Sequence, residues 1–168
     1  MNASRRDARF GHNRKLDVAH PAVKFDDFHT GQALRAGPIS PTAEDIVGFA
    51  RAYDPQWFHT DAERAAASRW QGLIASGWHT CALAMRLAVD HFLAGSESFG
   101  SPGLEYLKWL APVRPGDRLM LHAEILDKRR SDRQPTLGIL RWRWQLYNQR
   151  DEAVLDMTAT SFFDVPAA

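Results

Sequence analysis

The chain has 168 residues, enough for one domain that buries roughly two thirds of the surface its unfolded form would expose. Apolar residues make up 45% of it and charged residues 24%, the proportions of an ordinary globular protein and not of a disordered one. The net charge of +1 creates no long-range field that would attract a nucleic acid or an anionic membrane, so neither is expected as a partner.

The single cysteine, Cys81, excludes an intramolecular disulfide and fits a reducing compartment. No apolar run in the sequence reaches the ~18 residues that a membrane-spanning helix needs. The first residues also lack the apolar segment of a signal peptide. The sequence therefore favours a cytoplasmic protein. Its histidines show no metal-ligand spacing, so no metal site is expected.

Residues 1 to 24 are rich in basic side chains and poor in large apolar ones, so they cannot bury enough surface to offset the entropy of ordering. We expect a mobile basic tail there and a folded domain over residues 25 to 168. An arm that binds nucleic acid is the alternative, which Asp7 and Asp17 weaken by diluting the positive charge.

The folded part is expected to begin with a strand and a short helix. The strand is predicted over Ala33 to Ile39. Thr42 can cap a helix that runs to Tyr53, because its side chain can accept hydrogen bonds from the first backbone amides. Asp54 and Pro55 stop this helix, so Asp54 is delivered to the start of a loop.

The most apolar helix is predicted over Ser76 to Leu93. Apolar residues occur on almost all of its sides, which is typical of a buried helix. Leu83 and Leu87 lie off the main apolar stripe. The expected buried stripe is Trp78, Cys81, Ala82, Met85, Ala88, Val89 and Phe92, and the polar residues expected at an edge of the structure are His79, Arg86, Asp90 and His91.

From residue 99 the apolar period changes from 3.6 to 2, which predicts antiparallel strands. We expect these strands to form a four-stranded meander that wraps around the apolar helix, because nothing else in the chain could cover that helix. The predicted fold class is α+β, a single hot-dog domain with a curved antiparallel sheet around a central buried helix. The predicted strands are Gly103 to Leu110, Leu119 to Leu126, Thr136 to Tyr147 and Glu152 to Asp164.

Asp54 and His59 are candidates for a general acid and base pair. They lie five positions apart in a loop bent by Pro55, and the rings of Trp57 and Phe58 could exclude water from it. The alternative is that Asp54 only caps the preceding helix and that His59 is an ordinary loop histidine. Spacing alone leaves both interpretations open.

Ser76 and Gly77 begin the apolar helix, where backbone N–H groups lack intrahelical partners. Such amides can stabilise an oxyanion without reorganisation. A glycine needed only for close packing is an equally good explanation of Gly77 when it is considered alone.

Three segments together resemble the MaoC-type acyl dehydratases and the related (R)-specific enoyl-CoA hydratases. Residues 54 to 61 match a motif in which an Asp is followed by a His five positions later. Residues 74 to 78 match the helix entry that carries a glycine, and residues 109 to 117 match a phrase that precedes a strand. The resemblance covers roughly residues 25 to 165.

This resemblance implies a hydratase/dehydratase that interconverts a trans-2-enoyl thioester and a 3-hydroxyacyl thioester, with coenzyme A as part of the substrate and no separate cofactor. It implies that Asp54 and His59 activate the water and that the Gly77 amide binds the thioester oxygen. It also implies a place in fatty-acid metabolism and a homodimer, or an oligomer of dimers, in which the sheets join side by side. The other expected oxyanion or substrate-binding residues are Ser76, Trp57, Phe58 and Trp78.

The chain departs from the family motif at three positions: Gln56 replaces the usual Asn, Trp57 the Pro, and Ser76 the His before the glycine. These departures keep two other functions open, an acyl-CoA thioesterase on the same fold and a non-catalytic acyl-thioester-binding subunit. The bulk of Trp57, Phe58 and Trp78 predicts a short acyl pocket. Four basic residues could meet the phosphates of coenzyme A, although solvation of a strand surface is the commoner explanation: Lys108, Arg114, Arg141 and Arg143.

Overall fold

The computed structural model describes residues 22–167. A 3-10 turn at Phe25–Asp27 precedes the first strand. The helices are α1 (Ala43–Tyr53), α2 (Trp57–Thr60), α3 (Ala62–Ala66) and α4 (Gly77–Ala88), which continues as a π-helical turn over Val89–Leu93. The strands are β1 (Ala33–Ile39), β2 (Ser98–Trp109), β3 (Leu119–Arg130), β4 (Leu137–Tyr147) and β5 (Ala153–Asp164).

The five strands form one antiparallel sheet in the order β1-β3-β4-β5-β2. The predicted four-stranded meander is therefore wrong in one respect, because β2 pairs with β5 and not with β3. Residues 110–118 between β2 and β3 are too long for a tight hairpin turn. They instead cross from one side of the sheet to the other, and Val113 accepts a hydrogen bond from the Ala75 amide just before α4.

The core lies between α4 and the sheet. Strand β4 alternates as predicted, and Trp142 and Trp144 point into the core with 0% and 1% of their surface exposed. Their rings pack edge to face, with centroids 4.9 Å apart. A single antiparallel sheet wrapped around one long buried helix confirms the predicted hot-dog domain.

The buried face of α4 differs from the predicted stripe. Leu83, Ala84, Leu87 and Ala88 are buried, whereas Trp78, Met85 and Val89 are exposed. The reason is that α4 is apolar on both sides, and only one side can pack on the sheet of the same chain. The other side, next to β2, is an apolar surface that none of residues 22–167 covers, with Trp78 58% and Met85 47% exposed.

His79 also lies where it was not expected. It is buried between α4 and α1 and stacks on Phe49, with ring centroids 4.6 Å apart and an interplanar angle of 7°. Burial lowers the pKa of His79, and the nearby Asp45 opposes this effect. The stack fixes α1 against the start of α4, and α1 is the helix that ends at Asp54.

Most of the predicted tail, residues 1 to 24, falls outside the described residues. At its end, Lys24 forms an ion pair with Glu97 at 3.0 Å and donates to the Gly95 carbonyl. Val23 packs against the core. No helix among the described residues is long and apolar enough to cross a membrane.

Replacement of two glycines by alanine is expected to change the stability of the fold in opposite directions. A Cβ at Gly138 would lie 2.8 Å from the Phe25 ring, so Gly138→Ala should destabilise the fold by about 1–3 kcal/mol through overpacking. Gly48 lies inside α1 with no atom near its Cβ position, so Gly48→Ala should stabilise by about 0.5–1 kcal/mol. Urea unfolding of both variants measures the two changes. Equal effects of the same sign would contradict the packing described for Phe25.

Candidate active site

Helix α1 carries Asp54 to the site. Thr42 caps its first turn by accepting from the Asp45 amide, and the Asp45 side chain accepts in return from the Thr42 amide, as the sequence predicts for Thr42. Asp54 follows the last residue of the helix, and its amide donates to the Ala50 carbonyl at 2.8 Å. The backbone at Asp54 is therefore fixed by the end of α1.

Both carboxylate oxygens of Asp54 accept hydrogen bonds. Ser76 Oγ donates to Oδ2 at 2.6 Å, and Gln56 Nε2 donates to Oδ1 at 2.8 Å. The Ser76 bond lowers the pKa of Asp54 most, and the Gln56 bond and the nearby His59 lower it further against the opposing effect of burial. Asp54 is therefore held as an oriented, ionised carboxylate.

His59 lies on α2 with 4% of its surface exposed. Its Nδ1 lies 2.8 Å from the Ile74 carbonyl oxygen, and Nδ1 must carry the proton because a carbonyl can only accept. In the neutral ring, Nε2 is then an acceptor, and it lies 3.4 Å from Asp54 Oδ2. A water molecule beside these two acceptors can donate one hydrogen to each.

The N-terminus of α4 supplies the third part of the site. Ser76 is the capping residue and its hydroxyl also accepts from the Trp78 amide at 3.2 Å. Gly77 is the first helical residue, whose amide has no intrahelical carbonyl to reach. Trp109 covers this glycine: its indole N–H donates to the Gly77 carbonyl at 2.9 Å, and a Cβ at position 77 would lie 2.5 Å from the ring. Only glycine fits beneath this ring without a shift of Trp109.

A cavity of about 470 Å³ brings these groups together. Asp54 and His59 are the titratable side chains of its described lining, and the rest is mainly apolar or aromatic. A mainly apolar cavity with a few convergent polar groups is typical of a small-molecule site. Its lining is Asp54, Gln56, Phe58, His59, Trp70, Ile74, Ala75, Gly77, Trp78, Thr80, Trp109, Leu110, Ala111, Pro112 and Val113.

Five of the seven predicted site residues line this cavity: Asp54, His59, Gly77, Phe58 and Trp78. The other two do not. Ser76 is fully buried beneath the site and contacts Asp54 through its hydroxyl, which is a different position from that of a substrate ligand. Trp57 faces away, with the Arg64 guanidinium 4.4 Å from its ring centroid, and it meets Phe58 edge to face.

Sequence reasoning missed the remaining walls, Trp70 and the segment from Trp109 to Val113. Trp70 lies in the connection between α3 and α4, whereas Trp109 to Val113 lie far along the chain and reach the site because residues 110–118 cross over the start of α4. The segment 109 to 117, which matched the family in sequence, was the one feature that could have indicated this wall. Its first half proves to be a wall of the cavity.

Three of the basic residues considered for a phosphate contact are held elsewhere. Arg141 pairs with Glu105, and Arg143 pairs with Asp156 through two guanidinium nitrogens. Arg114 donates to the Trp70 carbonyl at 2.7 Å. Within residues 22–167, no three His, Cys, Asp or Glu side chains lie close enough together to hold a metal ion.

The family model described as "MaoC like domain" matches residues 27–141, which include Asp54, His59, α4 and most of the sheet. The chain belongs to the MaoC-like dehydratase family. The resemblance stated from the motifs is therefore confirmed.

Known MaoC-like proteins resemble this chain along most of its length. A MaoC-like dehydratase from Rhodospirillum rubrum has a TM-score of 0.76 and 35% identity, covering 85% of this chain and 97% of that one. YdeM of Bacillus subtilis, an uncharacterized protein, is 32% identical over 80% of this chain and 94% of its own length. The 3-hydroxyacyl-thioester dehydratase Z of Mycobacterium tuberculosis is 37% identical over 52% of this chain and 60% of its own length.

A more distant likeness supports the fold alone. A Mycobacterium tuberculosis protein described as having a double hotdog fold has a TM-score of 0.71 and 20% identity, covering 86% of this chain and 45% of that one. This chain therefore corresponds to one half of a double hot-dog chain.

Proposed function

We propose that this protein interconverts a trans-2-enoyl thioester and a 3-hydroxyacyl thioester, with coenzyme A as the thiol, and that Asp54 and His59 activate the water. The observation that carries this proposal is the 3.4 Å approach of Asp54 Oδ2 and His59 Nε2 in the wall of a cavity that Gly77 also lines. The dehydratase named among the relatives supports the same reaction class.

In the hydration direction, the water donates one hydrogen to His59 Nε2 and one to Asp54. Its oxygen attacks the β-carbon of the enoyl group, and one proton passes to the Asp54–His59 pair. The π electrons move toward the thioester carbonyl, which becomes an enolate. The pair then returns the proton to the α-carbon, so water is added across the double bond and the enzyme groups are regenerated.

The Gly77 amide donates to the thioester oxygen as the enolate charge develops. Because Gly77 is the first residue of α4, the helix dipole adds to this stabilisation. Loss of one such donor costs about 10²- to 10³-fold in kcat in comparable oxyanion sites.

The three departures from the family motif are consistent with activity. Gln56 reaches Asp54 Oδ1 and Ser76 reaches Oδ2, so the carboxylate remains oriented on both sides. Trp57 lies outside the cavity lining and leaves the space for substrate open.

The test is to incubate the protein separately with crotonyl-CoA and 3-hydroxybutyryl-CoA while following both the enoyl absorbance and the free thiol. A hydratase should remove the enoyl absorbance of crotonyl-CoA without releasing thiol. With 3-hydroxybutyryl-CoA, the enoyl absorbance should appear. Thiol release from either substrate would instead show a thioesterase. Binding without either change, across acyl lengths, would show a non-catalytic acyl-thioester-binding subunit.

We also propose that two copies pair along β2 to form a homodimer. Both ends of the sheet are edges and each edge strand contains one proline, but β1 runs for 7 residues and β2 for 12 residues. Exposed apolar side chains surround β2, and pairing would cover them together with the outer face of α4. They are Phe99, Leu104, Trp109 and Leu110 near the strand and Trp78, Met85 and Val89 on the helix.

A charge on this surface should break the pair. Met85→Lys and Leu104→Lys are expected to shift the protein from dimer to monomer in light scattering after size exclusion, because an unpaired ammonium would be buried in the interface. Ala33→Lys places the same charge on the opposite edge strand and should leave the dimer intact. If Ala33→Lys alone disrupts the dimer, the interface lies at β1 and not at β2.

A further inference from the structure

We propose that Trp70, packed on Phe58, forms the end wall of the acyl pocket and restricts the protein to short-chain enoyl and 3-hydroxyacyl thioesters. This inference rests on the proposed function. It assigns to Trp70, together with Phe58, the role of limiting chain length that the sequence suggested for Trp57, Phe58 and Trp78.

The positions of the reacting groups orient the substrate. If the thioester oxygen binds at Gly77 and the β-carbon meets the Asp54–His59 pair, the carbons beyond the β-carbon lie on the side of the pair away from Gly77. We assign that side to Phe58, whose ring lies beside the pair with its centroid 4.3 Å from that of His59. Trp70 follows, with its centroid 5.9 Å from that of Phe58, and both rings line the cavity.

The other two tryptophans of the cavity belong to the thioester end. Trp109 covers Gly77 and donates to its carbonyl, and Trp78 packs edge to face on Trp109 at 5.4 Å. They therefore flank the carbonyl and sulfur of the substrate. Phe58 and Trp70 are the remaining large aromatic side chains of the described lining, and we assign them to the acyl end.

The backbone of Trp70 is fixed, so the wall cannot easily withdraw. Its carbonyl accepts from Arg114 Nη2 at 2.7 Å, and its amide donates to Ser68 Oγ at 3.1 Å. The next two residues, Gln71 and Gly72, both have positive φ, at 53° and 140°. Removal of the ring is therefore needed to admit a longer chain.

The experiment compares crotonyl-CoA with trans-2-octenoyl-CoA for the wild type, Trp70→Ala and Trp57→Ala. In Trp70→Ala, the ratio of kcat/KM for octenoyl to that for crotonyl should rise by at least about 10-fold, since each accommodated methylene contributes about 10-fold or more. Trp57→Ala removes a neighbouring ring that does not line the cavity, and its ratio should equal that of the wild type. An unchanged ratio in Trp70→Ala, or a wild type that prefers octenoyl, would overturn the proposal.

Calorimetric binding of the unreactive butyryl-CoA and octanoyl-CoA separates this proposal from the proposed function. If the wild type hydrates no enoyl thioester, the proposed function is wrong, whereas a selective gain in octanoyl-CoA affinity in Trp70→Ala would still support the wall. An equal change in affinity for butyryl-CoA and octanoyl-CoA would show that Trp70 does not form the end wall of the acyl pocket. Trp70→Leu, which keeps more apolar volume, should show a smaller shift in the same direction and guards against a folding defect in Trp70→Ala.

Discussion

Asp54→Asn is expected to lower kcat/KM for crotonyl-CoA hydration by about 10²- to 10⁴-fold, the range that general acid and base groups contribute. The amide keeps the size of the carboxylate but removes its charge and its ability to take a proton from water. It can still accept from Ser76, so the packing around it should survive. Steady-state hydration rates for the wild type and the variant measure the loss.

Asp61→Asn is the matched control. Asp61 belongs to the same motif and caps α3 by accepting from the Arg64 amide, but it does not line the cavity. Its replacement should change activity by less than about threefold, since an amide at a helix cap still accepts a hydrogen bond. Equal losses in the two variants would mean that the motif serves the fold and not the reaction.

Ser76→Gly is expected to lower hydration activity by about 10- to 100-fold, because a hydrogen bond to a charged group contributes about 1.5–3 kcal/mol. Ser76 donates to Asp54 and holds its pKa below the ordinary value. Without this bond the pKa of Asp54 rises, so the carboxylate protonates at higher pH. The acid limb of the pH–rate profile should therefore move to higher pH.

The same linkage affects stability. The folded-state pKa of Asp54 lies below its unfolded value, so the resulting stability is present above the unfolded pKa and is lost as pH falls through the folded pKa. Glycine is tolerated at a helix cap, whereas Ser76→Ala loses about 1 kcal/mol of capping as well. Equal activity losses in both variants, with a further loss of stability in the alanine variant, would support the positioning role. If activity instead falls in proportion to stability and the acid limb of the pH–rate profile does not move, the positioning role of Ser76 is contradicted.

Local patterns in the sequence predicted most of the fold. The alternation of β4 follows from a period-2 pattern, and α1 follows from the cap at Thr42 and the stop at Pro55. Pairing order is non-local, and this explains the error at β2. The strand could have joined β3, but the connecting residues 110–118 allow it to cross to β5.

The face of α4 could not be predicted because a sequence shows that a residue is apolar but not which molecule covers it. Met85 and Val89 were assigned to the core and instead lie on the surface. His79 was assigned to an edge, but Phe49 provides a stacking partner inside. Both errors come from contacts that depend on how helices and chains pack.

The candidate site was predicted in part for the same reason. Asp54, His59 and Gly77 lie in two short segments with recognisable spacing, and the structure brings them to one cavity. The contact of Ser76 with Asp54 joins residues 22 positions apart, and Trp70 enters through a turn with positive φ. No periodicity in the chain could reveal either contact.

The most direct test is to follow the oxygen atom of water into the product. Crotonyl-CoA is incubated with the protein in water enriched in heavy oxygen, and the products are analysed by mass spectrometry. We expect the label in the 3-hydroxyl group of an intact 3-hydroxybutyryl-CoA, with formation that depends on Asp54. Label in the carboxylate of a free acid, or label in no product, would contradict an Asp54–His59 pair that adds water to an enoyl thioester.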